Sequence, residues 1–497
     1  MEKEKNTMKQ SAELLKSVKS LIAQGRFLSA KQELEALRKS GLIKPADEWQ
    51  LHELYGAVFL GLVDAEGIAA AYFNAVKADA YLRSQREHYA NYLFALHYLP
   101  GLSAIDLARQ HFASQNFYRK EELLPARKII PHDKLRLGFL SADFLESSAA
   151  RFYEILLRGI PENVADIYAY SLSKQTDAFT NKIKSEVKYS DFSHKSIEAA
   201  AMSIRADEID ILIDLTGQAA GGLTLMILAK KPAPVNICGI GWFDTTGLNF
   251  VDAMWTDKKL SPDSEMAAAC FTEKLYYLPA AFCFRPTLAM KKIILQPRKR
   301  RAVVFGCYQN FLKINKDVLN VWRQILQRLP KSKLILQDTT NFTERRMAMK
   351  QRLVAADLPI ERIEVRLGSD NYLADYHDID IMLDTFPYPG GASTAIALYM
   401  GVPVVTLAGL RYSARFGVSL LTAAGVPEFI ASDYQEYIKI AVNLASDEAG
   451  LINYQQNLRK KLEASTLMNE KAYIKSFIQF CSDLWQARGD FSLCDRI

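Results

Sequence analysis

Residues 135–141 read Leu135-Arg136-Leu137-Gly138-Phe139-Leu140-Ser141, and residues 302–306 read Ala302-Val303-Val304-Phe305-Gly306. Each is a short apolar run that gives way to small and polar residues, the pattern of a strand buried on both faces of a parallel sheet and entering a loop. A helix over 151–157 follows the first run, and further apolar runs at 167–172, 209–215 and 235–240 repeat the unit. The second run leads into an amphipathic helix over 316–329 and strands near 333–336, 363–365, 379–383 and 402–407. Two doubly wound α/β units in tandem are expected, facing each other across a crevice outside the carboxyl ends of their strands, where open parallel sheets bind ligands.

Upstream, residues 11–118 carry helical periodicity and almost no β-rich runs, with helices or helix pairs over 12–37, 48–62, 68–80 and 84–99. The run 21–30 resembles a helical-hairpin turn of a tetratricopeptide-type repeat, although no strict period of about 34 residues can be counted. The basic stretch 288–301 (Lys291, Lys292, Arg298, Lys299, Arg300, Arg301) reads as a solvated connection between the α/β units. The chain therefore divides into an all-α unit over 1–130, a first α/β unit over 131–290 and a second over 291–497. A helical tail over 452–486 returns to pack across both.

The chain has 497 residues, 49% hydrophobic and 24% charged, which excludes disordered, collagen-like and disulfide-scaffold classes. With 62 Lys plus Arg against 56 Asp plus Glu, the net +6 is too dilute to imply nucleic-acid binding. The start, Met1-Glu2-Lys3-Glu4-Lys5-Asn6, is no secretory signal, and the long uncharged stretch 385–410 is interrupted by Pro387, Pro389, Gly390, Gly391, Gly401 and Pro403, so no membrane span is expected. Six scattered cysteines without a Cys-x-x-Cys pair suit reduced thiols and a cytoplasmic location.

The chemistry is expected at the strand-to-loop junctions. Pro389-Gly390-Gly391-Ala392-Ser393-Thr394 has glycines that let backbone approach a ligand, followed by a helix start whose amides favour an anion. That is a phosphate cradle, or else an ordinary βα connection. Lys313, between a strand and a helix, can reach the same crevice and neutralise a departing diphosphate. Asp214 and Asp143, at strand ends, are the carboxylates placed to orient or deprotonate an acceptor, with a plain turn-capping role as the alternative for Asp214. The one Asp-x-Asp, Asp378-Ile379-Asp380, sits at the start of a strand, which disfavours a metal role; no metal or cofactor is expected.

The runs Leu135 to Phe144, Lys231-Pro232-Ala233-Pro234-Val235, Thr245-Thr246-Gly247-Leu248, Lys313-Ile314, Leu383-Asp384-Thr385-Phe386-Pro387-Tyr388 and Met400-Gly401-Val402-Pro403-Val404-Val405-Thr406 occur in that order. Together they resemble the O-GlcNAc transferase/SPINDLY-like protein glycosyltransferases, over roughly residues 91–484. The resemblance implies a GT-B fold behind a helical-repeat unit, with transfer of a sugar from a UDP-sugar, typically UDP-GlcNAc, to Ser or Thr of an acceptor protein. It assigns Lys313 to the diphosphate and Asn310, Tyr372, Gly390, Gly391, Ala392, Ser393, Thr394, Gly241 and Thr245 to the nucleotide sugar. Tyr372 falls at a base-stacking position, and 240–243 on the stretch lining the donor sugar. Departures from the family pattern are Ile396 at a ribose-binding carboxylate position, Arg151 at an active-site histidine, Gln218 after Gly217, and Phe243-Asp244 in place of Pro-Gly. None of the seven histidines lies in these loops, His377 being the nearest.

The reading that follows is an inverting transferase acting on a protein side chain, with a further protein partner on the helical unit. A non-catalytic GT-B accessory subunit and a glycan-directed GT-B enzyme are the alternatives.

Overall fold

A computed structural model of the chain describes residues 2–118, 123–125, 129–130, 132–262, 264–295 and 302–488. The basic connection expected at 288–301 falls partly outside them. Its described beginning is the short helix Leu288–Lys292.

The first α/β unit is a seven-stranded sheet of β1 (Leu135–Ser141), β2 (Ala165–Ser171), β3 (Lys188–Asp191), β4 (Ile211–Asp214), β5 (Val235–Cys238), β6 (Ala253–Thr256) and β7 (Lys274–Tyr277). All paired strands are parallel, in the order β3-β2-β1-β4-β5-β6-β7. The second is a six-stranded parallel sheet of β8 (Val304–Tyr308), β9 (Lys333–Gln337), β10 (Ile363–Arg366), β11 (Ile381–Leu383), β12 (Val404–Leu407) and β13 (Ile430–Ala431). Its order, β10-β9-β8-β11-β12-β13, repeats the topology of the first six strands of the other sheet, with the order reversing beside β1 and β8. Loops after those strands open into the crevice that such a reversal creates. The strands β3, β6, β7 and β13 were not legible in the sequence: β3 is an edge strand in which three of the four residues, Lys188, Ser190 and Asp191, are polar, and β13 has only two residues.

The helical unit comprises Glu2–Ala23, Phe27–Ser40, Glu48–Gly61, Ala65–Ala78, Leu82–Leu96 and Ala104–Ala113. Gly25, at φ +72°, makes the turn between the first two. The last two helices share one core with both α/β units, in which Leu93, Leu96 and Leu107 pack with Trp242, Leu312 and Phe386. The tail splits. Leu451, Leu458 and Leu462 of the helix Glu448–Glu463 belong to the core around β11 and β12. Tyr473, Phe477, Phe480, Cys481 and Leu484 of the helix Glu470–Gln486 cross back onto β1, β4 and β6 of the first unit. The cysteines among the described residues are buried and unpaired, and no described helix is long and apolar enough to cross a membrane.

Phe477 has no solvent exposure and meets the Trp255 ring edge-on at 5.3 Å. Phe477→Ala should destabilise the first α/β unit by about 3–5 kcal/mol, read as a shift of the urea midpoint, with the second unit's transition moved less if the two melt separately.

Candidate functional site

Between the two sheets lies a cavity of about 370 Å³. The β1 loop contributes Ser148 and Ala149; the β5 loop Ile240, Gly241 and Phe243; the end of β8 Gln309, Asn310 and Lys313; and the β11 loop Tyr388, Gly391, Ala392 and Ser393. Tyr98, from just beyond the helix Leu82–Leu96, completes one wall. None of the lining residues is Asp, Glu or His.

The organising group behind this surface is Asp384, fully buried at the end of β11. Its Oδ1 accepts hydrogen bonds from the Gly390 N–H (2.7 Å), the Thr385 N–H (3.0 Å) and the Gln309 side-chain amide (2.7 Å), while Oδ2 accepts from the Thr406 hydroxyl (2.9 Å). One carboxylate thus ties the glycine loop to β8 and β12. Burial holds its pKa above the ordinary carboxylate value, opposed by these hydrogen bonds and by the Lys313 ammonium.

Gly390 has no room for a side chain. A Cβ there would lie 2.4 Å from the Thr394 Oγ1 and 2.6 Å from the Ser393 Oγ. Gly391 is open on the cavity side, and the helix Ala392–Tyr399 starts directly after it, with its first backbone N–H groups facing the anion-favouring end of the helix. Lys313, at the end of the short turn Phe311–Lys313, reaches the same loop. Its Nζ donates to the Pro389 carbonyl (2.8 Å) and lies 3.9 Å from the centre of the Tyr388 ring. Burial lowers its pKa to about 8, with Asp384 and Cys307 pulling the other way.

An aromatic seam closes one side of the cavity and joins all three units. Phe243 stacks on Trp242 at 4.5 Å and meets Tyr388 at 4.8 Å, and Tyr98 meets Tyr388 at 5.5 Å. His97 and His111 from the helical unit pack edge-on or tilted against Trp242. Burial holds His97 well below its ordinary pKa and lowers His111 to about 4, so both are neutral near pH 7. The loop reading of the sequence missed these histidines because they come from helices distant in the chain.

Of the residues singled out in the sequence, Lys313, Asn310, Gly391, Ala392, Ser393 and Gly241 line the one cavity. Gly241 is there because only glycine fits, a Cβ falling 1.5 Å from the Leu215 carbonyl oxygen. Gly390 and Thr394 lie behind the surface, and the buried Thr394 hydroxyl has no partner. Tyr372 is 41% exposed and outside the cavity, close enough to Arg151 and Glu146 to feel both charges. Thr245 is also elsewhere, its hydroxyl donating to the buried Glu273 carboxylate at 2.6 Å. Asp214 does not reach the cavity either. It is fully buried, and its two oxygens accept from the Thr216 and Gly217 N–H groups at 2.9 Å each, while burial raises its pKa to about 6. The catalytic role expected for Asp214 is therefore replaced by its alternative, a carboxylate spent on holding the β4 loop. Asp378 pairs with Arg366, and Asp380 accepts from the Val304 N–H at 2.8 Å, so the Asp-x-Asp is committed to structure.

Residues 113–298 and 287–477 match glycosyl transferase family 41. The chain belongs to that family. Among curated family 41 relatives, it is 31% identical over 367 residues to a probable UDP-N-acetylglucosamine–peptide N-acetylglucosaminyltransferase SPINDLY of Arabidopsis thaliana, covering 72% of this chain and 40% of the relative. The tomato (Solanum lycopersicum) protein of the same description is 30% identical over 368 residues, covering 72% and 39%. The chain thus spans about two fifths of the length of these relatives. A solved O-GlcNAc transferase from Thermobaculum terrenum superposes with a TM-score of 0.80 at 23% identity, covering 96% of this chain and 98% of that one. The likeness establishes the fold as GT-B with a helical N-terminal unit.

Asp384→Ala should cost about 3 kcal/mol or more in a urea melt, because several buried donors lose their acceptor at about 1–3 kcal/mol each, whereas Asp384→Asn should keep most of the stability. Equal losses for the two variants would show that the carboxylate does not organise the loop.

Proposed function

We propose that the cavity binds a nucleoside diphosphate sugar, UDP-GlcNAc or a related UDP-hexose, and that the chain transfers the sugar to a side chain of a protein acceptor, Ser or Thr, with inversion. The reading rests on Lys313, whose ammonium is held at the Pro389 carbonyl, lining one cavity between two Rossmann-type sheets together with the Gly391–Ser393 helix start. An ammonium and a helix start lining one cavity suit a diphosphate, whose charge rises as the bond to the sugar breaks. The names of the SPINDLY relatives support UDP-GlcNAc as donor and peptide as acceptor.

In this reading the acceptor hydroxyl oxygen attacks the anomeric carbon while the carbon–oxygen bond to the diphosphate opens, its electron pair leaving with UDP and the hydroxyl proton passing to the departing diphosphate or to water. The lining holds no carboxylate or imidazole, so the chain contributes charge stabilisation and positioning. Tyr388 under the Lys313 ammonium and the Pro389 carbonyl beside it hold the charge in place before the donor arrives. Tyr372 and Thr245, outside the cavity as it stands, are not needed for the diphosphate contact. Buried, unpaired cysteines suit a reducing compartment such as the cytoplasm.

Calorimetric titration with UDP tests this. Lys313→Ala should weaken UDP binding at least tenfold, as expected for loss of a charge-assisted contact of about 1.5–3 kcal/mol. Because the free chain loses the Lys313 proton above about pH 8 and the diphosphate favours the charged form, affinity should fall about tenfold between pH 7 and pH 9. The stability of the unliganded chain should move the other way. Its folded state sheds that proton at lower pH than the unfolded chain does, so the Lys313 contribution becomes more favourable from about pH 8 to 10.5. UDP binding that ignores both Lys313 and pH would overturn the assignment.

A further inference from the structure

Two of the three arginines of the helix Thr343–Ala355 of the second α/β unit, Arg345 and Arg352, lie seven residues apart and so on one face of it. Arg345, 1% exposed, pairs with Asp338 (Nε to Oδ2, 2.6 Å), donates from Nη2 to the Asn310 side-chain oxygen (2.9 Å), and donates from Nη1 to the Leu60 carbonyl. Arg352 donates from Nη1 to the Val63 carbonyl (3.3 Å) and from Nη2 to the Ile314 carbonyl. Leu60 and Val63 bracket the turn between the helices Glu48–Gly61 and Ala65–Ala78 of the helical unit. Asn310 and Ile314 bracket the turn Phe311–Lys313. Each arginine therefore bridges one end of the helical-unit turn to one end of the Lys313 turn.

Three further features make this more than a packing contact. The Asn310 oxygen held by Arg345 is the same atom that caps the Lys313 turn by accepting from the Leu312 N–H at 3.1 Å, and Asp338 accepts from the Phe311 N–H at 3.3 Å. Moving Arg345 thus moves the cap. Val63, buried and β-branched, is held at φ +60°, a conformation such a residue adopts only where its surroundings impose it. The helical unit also docks on the start of the same helix: Phe27 meets Phe342 edge-on at 5.4 Å, and the Leu28 N–H donates to Glu344 at 2.8 Å.

We propose that Arg345 and Arg352 are positioning residues through which the docking of the helical unit sets the geometry of the Lys313 turn, so that the helical array regulates the diphosphate side of the cavity. The arginines touch no substrate; they act through Asn310 and the backbone of the turn. Displacement of the helical unit, by an acceptor or partner bound to it, releases the clamp and lets the turn relax. The regulatory meaning rests on the reading of the cavity as a diphosphate site, but the mechanical coupling does not.

The test uses the full chain and two readouts. The first is the pH dependence of Lys313 acetylation by acetic anhydride, followed by mass spectrometry, which needs no ligand. The second is calorimetric titration with UDP. The titratable groups that face Lys313, the Asp384 carboxylate, the Cys307 thiol and the Tyr388 phenol, are left unchanged in every variant. In the unmodified chain Lys313 should titrate near pH 8; in the Arg345→Met/Arg352→Met variant, folded by its cooperative melt, it should titrate higher, toward the 10.5 of a solvated lysine, with UDP affinity reduced at least tenfold. Phe342→Ala, which loosens the docking without touching either arginine, should move both readouts in the same direction by less. Arg352→Lys, able to reach one carbonyl at a time, should fall between the unmodified chain and Arg352→Met. A folded double variant whose Lys313 titration and UDP affinity stay within twofold of the unmodified chain would overturn the proposal, as would an unchanged Phe342→Ala variant should the double variant fail to fold. Failure of the unmodified chain to bind UDP would instead sink the reading of the cavity, while the acetylation profile would still decide the coupling.

Discussion

A single carboxylate with no access to water, Asp384, fixes the relation between the parts of the cavity. It accepts from the glycine loop, from the end of β8 through Gln309 and from β12 through Thr406. Burying a carboxylate is costly unless its lone pairs are taken up, and here four donors do so. The glycine loop can then hold its backbone toward the cavity, and Gly391 can leave the helix start uncovered. The charge of Lys313 is balanced from behind by the same group. Removing Asp384 would therefore disturb the loop, the helix start and the lysine together.

A second constraint is that the cavity belongs to three units at once. Tyr98 comes from the helical unit, Phe243 from the first sheet and Tyr388 from the second, and the Tyr388 ring meets both of the others. The first and second α/β units are also joined where the Ser419 hydroxyl and the Ala281 N–H donate to the same oxygen of the buried Asp257. The returning helix Glu470–Gln486, which follows the second unit in the chain, adds a further link by packing against the first sheet. The helical unit is thus a wall of the site as well as an array beside it, and the arginine bridges extend that involvement to the Lys313 turn.

The buried strands β1, β2, β4, β5, β8, β9, β11 and β12 were legible because continuous apolar runs ending in small polar residues have few other solutions in a chain of this composition. Lys313 and the 390–394 loop were legible for a related reason: glycine before a helix start and a lysine past a strand are local signals. Asp384 and Arg345 were not, because their meaning lies in partners far away in the chain, Thr406 for one and Leu60 and Asn310 for the other. Asp214 misled for the same cause. A carboxylate at the end of a strand looks alike in sequence whether it faces a cleft or its own turn, and only the two N–H groups 2.9 Å away separate the cases. Tyr372 and Thr245 were placed by resemblance alone, and resemblance does not say which of a family's positions are turned away from the cavity when Arg151 and Asp244 stand where other residues usually do.

Sugar transfer itself is the decisive measurement. The chain is incubated with UDP-GlcNAc, or another UDP-hexose, labelled in the sugar, together with protein extract as acceptor, and the label remaining on protein after denaturing gel separation is measured beside the Lys313→Ala variant. The expected result is protein-bound label that depends on the unmodified chain and disappears with Lys313→Ala. Binding of UDP without label on any protein, for every UDP-hexose tried, would contradict it and leave a nucleotide-binding accessory protein in its place.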